Sequence, residues 1–78
     1  MIIFTKHALE RIKHRGITKD EVLLALSETE SSVLDTFGHY VAQKPIHGKI
    51  LRVFFQKRGN DTFVITAYLT SKTEKYSD

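Results

Sequence analysis

The chain has 78 residues, 41% of them hydrophobic and 27% charged, and no cysteine. That length suits one domain with one core and excludes two, and the missing thiols exclude a disulfide framework and a thiolate metal site. Twelve Lys and Arg against nine Asp and Glu give +3 with neutral histidines, a bias toward an anionic partner, most simply nucleic acid.

Met1–Phe4 is a short apolar run, read either as a small edge strand or as a hydrophobic staple on the helix that follows. The opening MIIFTKHALE is too short and too soon charged for a signal peptide. No run approaches ~20 apolar residues, so no membrane span or membrane partner is expected, and the expected compartment is the cytoplasm.

Thr5–Gly16, TKHALERIKHRG, predicts a helix with an N-cap at Thr5 and a stop at Gly16. At ~100° per residue, Ala8, Leu9 and Ile12 share an apolar arc. His7, Arg11, His14 and Arg15 fall on a cationic arc beside it. Thr18-Lys19-Asp20-Glu21 is a capping box for a second helix. Val22, Leu23, Ala25 and Leu26 are its expected buried residues, and its end is expected between Ser27 and Thr29. Ile17 should plug the corner between the helices.

From Ser31 the period changes from helical to alternating. Val33–Phe37 predicts a short strand and Gly38 a turn. His39–Ile46 predicts a second strand, with Pro45 at an edge or bulge because it lacks a ladder donor. His47-Gly48 makes a turn, Lys49–Lys57 the strongest strand, Arg58–Asp61 a hairpin turn, and Thr62–Thr70 the last strand. The tail, 71–78, reads as flexible. The order predicts an α+β domain over 1–78, with two N-terminal helices on one face of a four-stranded, mainly antiparallel sheet.

Strict alternation puts Leu51, Val53 and Phe55 on one face of that sheet, with Phe63, Ile65, Ala67 and Leu69. The other face then holds Ile50, Arg52, Phe54 and Gln56, with Val64, Thr66, Tyr68 and Thr70. A mixed face of that kind suits a binding surface.

No phosphate loop, zinc motif or nucleophile elbow is present. The four histidines, His7, His14, His39 and His47, are scattered, so neither a metal nor another cofactor is expected. What remains is a set of bases and cations: His7, Arg11, His14, Arg15, Lys44 and Arg52, with Tyr40, Tyr68 and Tyr76. RNA cleavage through the ribose 2′-hydroxyl needs only such groups: a base, an acid and a cation for the developing phosphorane charge. His7 and Arg11, at i and i+4, form a candidate acid–base and phosphate clamp. By spacing alone a solvated pair is the commoner outcome. His14 reads as solvent-facing, and Arg15 as a residue with a packed stem. Arg52 interrupts an apolar strand and needs an anionic partner, either substrate or a carboxylate such as Asp35.

The runs TKHALERIKHRGITKDEVLLAL, GHYVAQKPIHGKILRVFFQ and FVITAYLT resemble a prokaryotic family of domains of unknown function, related to BrnT and RelE/ParE toxins, with an HAxxRxxxRGI opening. The resemblance covers Phe4 to Thr70. It implies a RelE/BrnT-like fold and a metal-independent endoribonuclease of a toxin–antitoxin or phage-defence locus. The implied partners are RNA, ribosome-bound mRNA included, and a cognate antitoxin protein. Carried over by position, His7, Arg11, Arg52 and Tyr68 would be catalytic, and Arg15, Lys44 and Thr70 would contact phosphate or RNA. Tyr76 lies where related toxins place an aromatic. The alternative is a non-catalytic basic module that binds a protein or nucleic acid through the same faces.

Overall fold

The computed structural model describes residues 1–71. Along the chain come β1 (Ile2–Phe4), α1 (Lys6–His14), α2 (Lys19–Glu28), β2 (Ser31–Val33), β3 (His39–Ile46), β4 (Lys49–Arg58) and β5 (Asp61–Thr70). The strands form one five-stranded mixed sheet in the order β1-β5-β4-β3-β2. This corrects the expected four-stranded, mainly antiparallel sheet and with it the RelE/BrnT-like fold. The helices do not open the chain but follow a strand, and that strand pairs parallel with β5.

The reason lies in the first four residues. Ile2, Ile3 and Phe4 sit opposite Thr62, Phe63 and Val64. The ladder is closed at its two ends by Thr62 N donating to Met1 O (2.8 Å) and Thr5 N donating to Val64 O (3.3 Å). Parallel partners are joined by a long crossover, and here almost the whole chain lies between them. Local periodicity carries no signal for such a pair.

The helices form where the caps place them. Thr5 Oγ1 accepts from Ala8 N at 3.1 Å and starts α1. Gly16, at φ +71°, supplies the left-handed backbone that ends it. Thr18 and Glu21 exchange both bonds of the capping box at the start of α2. Ile17 is buried between the two helices. α1 packs on β5, and α2 on β3 and β4.

The core joins Ala8, Ile12, Ile17, Val22 and Ala25 to Ala42, Leu51, Val53, Phe55, Val64 and Ala67 on the sheet. A fully buried aliphatic such as Leu51 contributes ~1.5–3 kcal/mol. Leu9 and Leu23, expected in the core, are instead 36% and 37% exposed. On α1, Ala8 and Ile12 define the centre of the buried stripe, and Leu9 lies ~60–100° away from them.

Two strand readings need correction. Strict alternation put Ile65 in the core and Val64 on the far face; Val64 is fully buried and Ile65 is 37% exposed. A bulge is the cause: Phe54 pairs with Thr66 but Phe55 pairs with Val64, leaving Ile65 as the extra residue. The first predicted strand, Val33–Phe37, is displaced to Ser31–Val33. Asp35 Oδ1 accepts from Phe37 N (2.8 Å) and His39 N (3.3 Å), which folds 35–38 into a turn. Gly38, at φ +85°, completes it.

The turn at His47-Gly48 is as expected. Both residues have positive φ, +50° and +77°, as a two-residue hairpin of this hand requires. Pro45 pairs with Ile50 of β4. On its other side β2 reaches only as far as Ala42, so Pro45 lies on open edge. The expected flexible tail, including Tyr76, lies outside the described residues apart from Ser71.

Candidate nucleic-acid interface

α1 presents His7, Arg11 and His14 along one outer stripe, Arg15 follows as its C-cap, and all four are exposed. The span from His7 to Arg15 covers ~12 Å of helix rise. His7, Arg11 and His14 make no hydrogen bond or ion pair among the described residues. Their charge and hydrogen-bonding capacity therefore face solvent. No acidic residue lies in the first turn of α1, while Arg11, Lys13 and His14 occupy its last turn, where the negative end of the helix dipole favours them.

Arg15 behaves differently. Its Nη1 donates to Ala67 O at 2.8 Å and to Thr66 Oγ1 at 3.4 Å. β1 pairs with β5 only as far as Val64, so the later part of β5 has no strand on its outer side among the described residues. Arg15 reaches this uncovered edge and satisfies one of its carbonyls. Thr66 stands opposite Phe54, hence on the sheet face away from the helices. The guanidinium thus sits at the rim where the α1 stripe meets that face.

On the open face, Arg52 and Tyr68 are register partners on β4 and β5. Arg52 Nη1 donates to Tyr68 Oη at 2.6 Å. The guanidinium also lies 5.1 Å from the centroid of Phe54 and 5.7 Å from that of Tyr68. Phe54 and Tyr68 stack at 5.8 Å, 19° from parallel. A cation over two aromatic faces gains from both quadrupoles while its stem packs on them. Gln43 is the β3 neighbour of Arg52 in register. Its Oε1 is buried and accepts no hydrogen bond among the described residues, a costly arrangement. Thr70 continues this face opposite Ile50 and is half-buried.

Asp35, the carboxylate considered for Arg52, is committed elsewhere: its Oδ2 lies 2.7 Å from His39 Nδ1. Partial burial pushes the Asp35 carboxyl up. The bonds from Phe37 N–H, the His39 ring and His39 N–H, with the His39 charge, outweigh that and hold it below its ordinary value. His39 is accordingly only part-exposed.

The structure brings Arg52 and Tyr68 together, and Arg15 meets β5 at Thr66 and Ala67, next to Tyr68 along the strand. His7 and Arg11 lie on the helix side of the same rim and touch none of them. Lys44 is apart from both groups. It pairs with Leu51 in register, on the helix-covered face, and its Nζ lies 2.7 Å from Glu28 Oε1.

Phe54 and Gln43 also belong to the Arg52 cluster, though sequence reasoning gives neither a role in a site. For Phe54 the signal existed, since it sits two residues from Arg52 on one strand. For Gln43 only the β3–β4 register reveals it. Among the described residues no group of three His, Asp or Glu side chains is placed to hold a metal, and no helix is long and apolar enough to cross a membrane.

Neither a curated protein nor a solved structure matches the chain. The family described as "Domain of unknown function (DUF4258)" matches residues 4–69. That span takes in the α1 stripe, the Arg15 anchor and the Arg52–Tyr68 pair, and covers most of the sequence, so the chain belongs to the DUF4258 family.

Proposed function

We propose that the protein binds single-stranded RNA around the β5 edge and cleaves it as a metal-independent, toxin-type endoribonuclease. The observation that carries this reading is Arg15. Its guanidinium, one helical turn beyond Arg11, bonds to Thr66 Oγ1 and Ala67 O of β5, and Thr66 is two residues along the strand from Tyr68, the partner of Arg52. Arginine suits phosphate because its planar fork meets two oxygens at once. The stacked Phe54–Tyr68 pair offers an aromatic surface for a base.

The chemistry follows from the groups available. His7 removes the 2′ proton, O2′ bonds to phosphorus, and the P–O5′ bond breaks. The products are a 2′,3′-cyclic phosphate and a 5′-hydroxyl end. Tyr68 Oη accepts from Arg52, and its own O–H gives a proton to the leaving O5′. Arg11, Arg15 and Arg52 offset the charge that develops on the phosphoryl oxygens. The opening-motif resemblance to BrnT and RelE/ParE toxins supports a toxin role in the cytoplasm, held in check by a cognate antitoxin. Likeness of fold is not part of that support, because the sheet differs.

A second reading has its own observation: His7 touches neither Arg52 nor Tyr68. On that reading the surface binds RNA or another anionic partner without cleaving it. Incubating the purified chain with single-stranded RNA and with 2′-deoxy oligonucleotides decides between them. Cleavage of RNA alone, leaving cyclic phosphate ends and reduced on the order of 10²-fold or more in His7→Ala and Tyr68→Phe, supports the enzyme. Binding with no cleavage by the wild type overturns it and leaves the binding module.

A further inference from the structure

The end of the sheet opposite α1 has a different character. β2 is the terminal strand there, pairing with β3 through Ser31–Val33 and with no strand beyond it among the described residues. Val33, in β2, is 66% exposed; Leu34 and Phe37, just after it, are 50% and 75% exposed. Three large apolar side chains within five residues of an unpaired edge are unusual for a surface meant only for water. The features that blunt an edge strand, a lysine or a proline, occur at Lys44 and Pro45 of β3 and not in β2.

Charge states what belongs there. Residues 20–38 carry Asp20, Glu21, Glu28, Glu30 and Asp35 and no Lys or Arg, in a chain that is otherwise basic. Three of these carboxylates are engaged: Glu21 in the capping box, Glu28 with Lys44 and Asp35 with His39. Glu30, the residue immediately before β2, makes no ion pair among the described residues. A second copy would bring the same carboxylate-bearing edge against this one. A basic strand instead supplies the missing cations, donates and accepts along the open backbone of β2, and lays alternate apolar side chains on Val33 and Phe37.

We propose that the β2 edge, with Val33, Leu34 and Phe37, is a docking site for an extended basic segment of a partner protein, added as a sixth strand. The site lies across the sheet from the β5 rim, so docking leaves the RNA surface uncovered.

The probe is a short synthetic peptide alternating Lys and Val, titrated into the full ¹⁵N-labelled chain. A Glu/Val peptide of the same pattern serves as charge-reversed control. Shifts are expected at residues 30–37 with the Lys/Val peptide and are expected to be absent with the control. Glu30→Lys and Phe37→Ser should each weaken binding by about threefold to tenfold, the range of one rim charge or one apolar contact. Unmoved amide signals of Ala42 and Val64 establish that both variants are folded. Shifts confined to other elements, equal binding of the Glu/Val peptide, or affinity indifferent to both substitutions would overturn the proposal. So would a dimer in sedimentation that Phe37→Ser dissolves, which assigns the edge to a second copy.

Discussion

Arg15 shows how one side chain can be structural and still mark a site. Its bond to Ala67 O ties the end of α1 to an edge that β1 is too short to cover. Arg15→Ala is expected to cost about 1 kcal/mol, less than a buried charge-assisted bond because the head is partly solvated. Arg15→Lys should recover part of that, since one donor can still reach the carbonyl. Urea unfolding of the three proteins measures both. An unchanged midpoint in Arg15→Ala would mean that the bond is not formed in solution. From sequence, Arg15 can either anchor the helix or touch phosphate. The anchoring half was legible because Arg15 lies near the apolar arc. Its acceptor was not, because Ala67 is 52 residues away. Arg52 tells a similar story. As a charged residue in an apolar strand it announced the need for a partner, but the choice of Tyr68 over Asp35 depended on the β4–β5 register.

At the scale of elements, the helix caps and the two hairpin turns follow from sequence because each is a local hydrogen-bond problem. Thr5, Thr18, Glu21, Gly16 and Gly48 solve theirs within four residues. The β5 bulge is not local, and it reversed the faces of Val64 and Ile65. Two substitutions check it. Val64→Ala should cost roughly 2 kcal/mol as a buried truncation. Ile65→Thr should stay within ~0.5 kcal/mol, as at exposed positions generally. Strict alternation demands the reverse order, so thermal or denaturant unfolding distinguishes the two.

The 35–39 turn adds a pH dependence. Because the Asp35 carboxyl is held below its ordinary value of 3.8, its bonds stabilise the fold above that pH. That contribution is lost as pH falls through the lowered value of the folded state. Amide shifts of Phe37 and His39 should therefore titrate together in acid, and Asp35→Asn should abolish the step. A step that persists in Asp35→Asn would assign it to another group.

For the whole molecule, the sheet order sets the two candidate surfaces apart. α1 and the β5 rim lie at one end and the β2 edge at the other. If Arg11, Arg15 and Arg52 all meet phosphate, the logarithm of RNA affinity should fall with the logarithm of salt concentration at a slope of about −2. Arg52→Ala should make that slope shallower by ~0.7. A slope near zero would remove RNA as the partner of this surface.

Sequence by itself determined the helix boundaries, the two hairpin turns, the three long strands and which residues carry cationic chemistry. All of these follow from caps, glycines and periodicity acting over a few residues. Only the tertiary structure decided that Met1–Phe4 closes the sheet as a parallel fifth strand, that a bulge buries Val64, and that Arg52 is held by Tyr68. It alone placed Arg15 between the helix stripe and the open face. These outcomes depend on pairing across tens of residues, and the register that sets them is a property of the packed sheet.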